Sequence, residues 1–151
     1  MKVALGCDHA GFAIKDIVKK TIGDFGAQVL DFGTFSADSV DYPDFASKVA
    51  LAVSKGEVDK GILICGSGIG VCIAANKFKG VRASIAHDVY SAGQGVLHDN
   101  MNILCLGARV VKAELVPDLV KAFLSANFQK DEERHVRRCG KVLAFEKENF
   151  K

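Results

Sequence analysis

With 151 residues, 49% of them apolar and 25% charged, the chain fits one globular domain over 1–151 with a real core and leaves little material for a second. Twenty basic against 18 acidic residues give a net charge of +2, too balanced for nucleic-acid binding to follow from bulk electrostatics, so any anion site must be local. No apolar stretch is long enough for a membrane, and the start lacks a signal-like apolar run, so a cytoplasmic protein without nucleic-acid or membrane partners is expected.

A short apolar run, Val3 to Gly6, ends at Cys7-Asp8-His9. Phe12, Ile14, Ile17, Val18, Ile22 and Phe25 then recur at near-helical spacing, which predicts strand, loop and helix. Residues 28–32 read as a second strand and 33–41 as a polar connection. A helix follows Pro43 and stops at Ser54-Lys55-Gly56. Gly61-Ile62-Leu63-Ile64-Cys65 is almost wholly apolar, as a central parallel strand covered on both faces should be. The loop Gly66-Ser67-Gly68-Ile69-Gly70 opens a helix running through Phe78. Residues 81–86 give a fourth strand, 90–97 a short helix and 103–106 a fifth strand. A helix is expected over 110–126, and another in the basic tail from Arg134.

Strands alternating with helices through short loops predict an α/β fold. It is a three-layer Rossmann-like sandwich with a five-stranded parallel sheet and right-handed crossovers. The expected strand order is 2-1-3-4-5. Its topological switch lies between the first and third strands, where open α/β sheets bind ligands. Those strands end at Asp8-His9 and at Cys65-Gly66.

Cys65 sits where a strand gives way to a glycine loop and a helix N-terminus. Backbone N–H groups and the helix dipole favour a thiolate there, and the same donors suit an oxyanion on a substrate. A Walker loop would end in Gly-Lys-Ser/Thr, but Val71-Cys72 follow Gly70. A cysteine-phosphatase loop would carry arginine where Val71 stands. A dinucleotide fingerprint needs a small residue at that same place, although Asp88 lies at a suitable strand end. Asp8 and His9 either relay protons beside Cys65 or serve locally, Asp8 as a helix cap. His98-Asp99-Asn100 form a polar cluster before the fifth strand. Arg134, Arg137 and Arg138 suit a phosphate or a solvated helix face. The 5 cysteines are odd in number and lack any Cys-x-x-Cys pair, which argues against a disulfide framework or a structural zinc site.

Four segments in order, 6–11 (Gly-Cys-Asp-His-Ala-Gly), 41–44 (Asp-Tyr-Pro-Asp), 64–70 (Ile-Cys-Gly-Ser-Gly-Ile-Gly) and 74–77 (Ala-Ala-Asn-Lys), together resemble the type-B ribose-5-phosphate isomerase family. Arg109, Arg134, His135 and Arg138 extend the resemblance over nearly the whole chain. It implies interconversion of ribose 5-phosphate and ribulose 5-phosphate through an enediolate, with no metal or other cofactor. Cys65 would be the base, Ser67 would help move hydroxyl protons, and the amides of Gly66, Gly68, Ile69 and Gly70 would hold the enediolate oxygens. His98, assisted by Asp8, would open the furanose ring. His9, Arg109, Arg134 and Arg138 would bind phosphate, with Tyr42 lining the pocket.

The resemblance also implies a homodimer or dimer of dimers whose sites are completed across the interface, with the helix from about residue 134 packing on the partner. Two other readings accompany it: an isomerase of a six-carbon sugar phosphate such as allose or galactose 6-phosphate, and a sugar-phosphate-binding regulator. The chain departs from the family pattern at Asp99, where a neutral amide is usual beside the sugar. It departs again at 93–97, which lacks an arginine, and at Glu132-Glu133, which replace two glycines.

Overall fold

A computed structural model describes residues 1–150. Among them, β1 (Lys2–Cys7), β2 (Gln28–Asp31), β3 (Lys60–Cys65), β4 (Ala83–Ile85) and β5 (Ile103–Gly107) form one parallel sheet. The helices are α1 (Phe12–Asp24), α2 (Tyr42–Ser54), α3 (Ile69–Ala75), α4 (Val89–Asp99), α5 (Val116–Ser125) and α6 (Glu133–Asn149).

Side-chain alternation along the inner strands creates two cores. Val3, Leu5, Ile62, Ile64, Leu104 and Leu106 face one way, toward Ile14, Val18 and Ile22 of α1 and Leu119 and Phe123 of α5. Ala4, Leu63, Cys65, Ile103 and Cys105 face the other way, toward Ala46, Val49 and Val53 of α2 and Val71 and Ala75 of α3. The second layer is the thinner. At Gly61 a Cβ would stand 2.7 Å from a methyl of Val49, so α2 lies almost on the sheet.

The strand order is β2-β1-β3-β5-β4, which corrects the expected 2-1-3-4-5. The physical reason lies in the strands themselves. β5 is buried along its whole length and needs neighbours on both sides, whereas β4 has three residues, the middle one being the exposed Ser84. The switch between β1 and β3 is unaffected, because β2 flanks β1 on one side and β3 flanks it on the other.

Several element boundaries also differ from expectation: the helix expected through Phe78 ends at Ala75, and the strand expected over 81–86 is confined to Ala83–Ile85. The helix expected over 110–126 begins at Val116, after a 3₁₀ turn at Ala113–Leu115. The N–H groups of Val110 and Val111 both donate to the Gly107 carbonyl, forming a tight turn, and Pro117 then sets the helix start. The short helix expected over 90–97 runs to Asp99, so His98 and Asp99 form its last turn. Asn100 terminates it in the left-handed region at φ 53°.

The open edge of β4 is closed by a side chain. Asn76, just past α3, donates from Nδ2 to the Ala83 carbonyl at 2.9 Å and accepts the Ala83 N–H on Oδ1 at 2.9 Å. This is the pattern a further strand would make. Its Nδ2 also reaches the Cys72 carbonyl at 3.1 Å. Asn76→Ala leaves these groups without their partners. It is expected to lower the free energy of unfolding by about 1–3 kcal/mol, read as a lower urea midpoint at unchanged m-value.

Candidate active site

Parallel pairing places the C-terminal ends of β1, β3 and β5 side by side, and the ladder continues past the strands. The Asp8 amide donates to the Ile64 carbonyl at 3.1 Å, the Ala108 amide to the Cys65 carbonyl at 2.9 Å, and the Arg109 amide to the Gly66 carbonyl at 3.0 Å. The three loops therefore converge on a cavity of about 340 Å³ lined by Asp8, Tyr42, Cys65, Gly66, Ser67, Gly70, Arg109 and Val110.

Cys65 is 4% exposed and accepts the Gly68 N–H on Sγ at 3.1 Å. Gly68 reaches that position because its φ of +81° turns the chain abruptly into α3, a conformation costly for a residue with a Cβ. The Ile69 N–H donates to Ser67 Oγ at 3.2 Å. The N–H groups that begin the helix thus point at a thiol and a hydroxyl, a setting that suits developing negative charge on a bound oxygen. The Arg109 guanidinium lies over Gly66, and the Tyr42 ring lies against Gly70, each within contact distance of where a Cβ would stand.

Asp8 is buried, and its Oδ1 accepts the Gly11 N–H at 3.0 Å. Gly11 is itself the N-cap of α1, so Asp8 closes the turn leading into the helix rather than capping it, and it also lines the cavity. The Asp88 alternative has a local explanation. Its carboxylate accepts the Ser91 N–H at 2.7 Å as the α4 cap, and that bond holds its pKa below the usual carboxylate value.

His9 is half-buried and outside the lining of the cavity, with Nδ1 accepting the Val40 N–H at 3.2 Å. Since a backbone amide can only donate, Nδ1 carries no proton and the neutral ring holds its hydrogen on Nε2.

The remaining expected site residues form a separate cluster. His98 stacks on His135, with ring centroids 4.1 Å apart and planes 14° apart. Its Nδ1 lies 3.0 Å from the side-chain nitrogen of Gln94, and Asp99 lies 3.4 Å from the same nitrogen. Arg134 and Arg138 stand exposed on α6 around the buried His135. Burial, the facing His98 and the two arginines lower the pKa of His135.

This cluster and Cys65 lie at opposite ends of the sheet. His98 closes a crossover helix just before β5 begins, while Cys65 ends β3 and pairs with Gly107 at the end of β5. The five residues of β5 alone span roughly 15 Å. A larger cavity of about 530 Å³ runs along β4 and includes Asp99 but not the thiol. Among the described residues, no group of three or more His, Cys, Asp or Glu is placed to hold a metal ion, and no helix is long and apolar enough to cross a membrane.

His87, missed in the sequence, follows β4 and accepts the Gly107 N–H on Nε2 at 2.8 Å, which braces the turn leading to Arg109. Its position at the C-terminal end of a strand was the available signal. Burial lowers its pKa from 6.5. The unfolded chain therefore binds that proton more tightly, and the His87 contribution to stability is lost as pH falls below about 6.5. His87→Gln can accept the same N–H without titrating. It is expected to show a flatter decline of Tm than wild type between about pH 6.5 and 5.

The whole arrangement has known counterparts. Residues 3–142 match the family model described as Ribose/Galactose Isomerase. The chain is 46% identical over 145 residues to Ribose-5-phosphate isomerase B of Escherichia coli, covering 96% of each sequence. It is 46% identical over 131 residues to D-erythrulose-4-phosphate isomerase 2 of Mycolicibacterium smegmatis, covering 85% of this chain and 86% of that one. The solved structure of Clostridium thermocellum Ribose-5-Phosphate Isomerase B superposes with a TM-score of 0.93 at 46% identity, covering 98% of this chain and 99% of that one.

Proposed function

As the chain belongs to the ribose/galactose isomerase family and is an isomerase of the intramolecular oxidoreductase class, we propose that it interconverts ribose 5-phosphate and ribulose 5-phosphate through an enediolate. The observation that carries this reading is the Cys65 sulfur accepting the Gly68 N–H at the head of α3, within a cavity shared with Asp8, Tyr42, Ser67 and Arg109.

The Cys65 thiolate takes the proton from C1 of the ketose, becoming a thiol, and returns it to C2 to give the aldose. The electron pair released at carbon moves onto the carbonyl oxygen, which the amides of Gly66, Gly68, Ile69 and Gly70 receive. Ser67 passes the proton between the two oxygens, and Tyr42 lines the sugar. Arg109 and His9 Nε2–H hold the phosphate, and no metal or organic cofactor takes part.

Ribose 5-phosphate is mainly a closed furanose and needs an acid and a base to open, the roles given to His98 and Asp8. Because His98, Asp99, Arg134 and Arg138 lie a sheet length from Cys65 in one chain, the working site takes them from a second copy. The exposed Ile69, Ile73 and Val110 near the loop, and Val142, Leu143 and Phe145 on α6, are apolar surface that such a partner would cover. The assembly is a homodimer or a dimer of dimers. A six-carbon substrate remains the second reading, favoured by the galactose in the family description and by Asp99, whose negative charge would meet different hydroxyls.

Incubating the protein with ribulose 5-phosphate in heavy water is expected to place deuterium at the exchanging carbon, whereas a binding protein leaves the sugar unlabelled. Cys65→Ala is expected to lose at least about a thousandfold in kcat while sugar-phosphate binding changes little. Mixing Cys65→Ala with His98→Ala and allowing subunits to exchange should restore roughly a quarter of wild-type turnover of ribose 5-phosphate, since half the dimers are mixed and each holds one whole site of two. No restoration would exclude sharing of the site between subunits.

A further inference from the structure

The inward face of α1 carries Ile14, Val18 and Ile22 and, among them, Lys15, which is 3% exposed. A buried ammonium is costly, and a buried ion pair seldom stabilises a fold more than an apolar replacement would. The contacts of this one suggest a different use. Its Nζ lies 2.9 Å from Asp31 Oδ2, donates to the Thr34 carbonyl at 2.7 Å and sits 4.1 Å above the Phe35 ring. Asp31 Oδ1 accepts the Gly33 N–H at 3.0 Å, and burial of that carboxylate is outweighed by these bonds, which hold its pKa below the usual value. One ammonium thereby engages residues 31, 34 and 35, and through Asp31 also 33.

Those residues begin the connection from β2 to α2. Gly33 and Thr34 pair with Cys7, one residue before Asp8: the Cys7 N–H donates to the Gly33 carbonyl at 2.6 Å, and the Thr34 N–H to the Cys7 carbonyl at 2.7 Å. Beyond Phe35, the hydrogen bonds that tie 36–40 to the rest of the fold, among the described residues, reduce to one, Val40 N–H to His9 Nδ1. The connection then enters α2 at Tyr42, which lines the cavity with Cys65. It is held at its start by Lys15 and at its end by a helix, and between them it fixes one ring nitrogen of His9.

We propose that the buried Lys15–Asp31 pair is a positioning device for the phosphate end of the substrate, holding the 33–41 connection where the Val40 amide keeps His9 in the Nε2–H form that donates to a phosphate oxygen. This rests on the reading above that His9 contacts the phosphate. Lys15 touches no reacting atom and acts through the backbone. Loss of the pair therefore weakens binding of the substrate more than it slows proton transfer at Cys65.

The test uses the full chain carrying Lys15→Met, with Asp31→Asn as a second variant should the first fold poorly. In both, the expected result is a rise of about tenfold in KM for ribulose 5-phosphate, with kcat changed by less than about threefold. The same substitution placed in a His9→Ala background should raise KM no further, because the effect is already lost. On the substrate-free protein, the imidazole ¹⁵N shifts of His9 should report the Nε2–H form in wild type and a tautomer mixture in the variants. A drop in kcat at unchanged KM, equal effects in the presence and absence of His9, or an unaltered His9 spectrum would each overturn the proposal. Should wild type fail to turn over the sugar phosphate, the assigned reaction falls, whereas the ¹⁵N spectra still decide whether Lys15 governs His9.

Discussion

The hydrogen bond from the Gly68 amide to the Cys65 sulfur is the contact on which the rest of the site depends. It forms because the chain leaves β3 through one left-handed residue and enters a helix at once, so the thiol lies against the amides that begin the helix. Parallel register then fixes what surrounds them. β1 delivers Asp8 on one side and β5 delivers Arg109 on the other, each tied to the neighbouring strand by a backbone bond. The same thiol in the middle of a strand would meet no free donor. The same loop at a sheet edge would lack one of the two flanking side chains.

The geometry also separates two sets of groups. Proton transfer at carbon needs a base and an oxyanion cradle, both available at the end of β3. At the other end of the sheet stands a different set of titratable and charged groups, His98 stacked on His135 beside Arg134 and Arg138. In a crossover helix the last turn always returns to the start of the next strand, so no movement of side chains in one chain can unite the two sets. The two sets of groups thus stand on separate surfaces of one chain.

Much of this was legible in the residues. The continuous apolar runs at 61–65 and 103–106 announced inner parallel strands, and the glycines after Cys65 announced the turn into a helix. The order of the last two strands was misread because chain order was taken as spatial order. Ser84, a polar residue at the centre of a three-residue strand, already marked β4 as the edge. The polar cluster at 98–100 proved to be the end of a helix because Asn100 supplies the left-handed stop usually sought in glycine. Lys15 and His87 were passed over because each acts through a backbone group remote in sequence, a carbonyl in one case and an amide in the other. A lysine in phase with an apolar helical stripe was the one local sign.

Asn76 gives the edge of the sheet a chemical lifetime as well as a partner. Primary amides are among the side chains least durable under heat, and hydrolysis of this one would exchange its donor for a carboxylate oxygen. That oxygen would face the carbonyls of Cys72 and Ala83, which now accept from Nδ2 at 3.1 and 2.9 Å, and attraction would become repulsion. Ageing of the molecule by a single atom would uncover the outer edge of β4, leaving its backbone groups open to pairing with another chain while β5 still holds the strand.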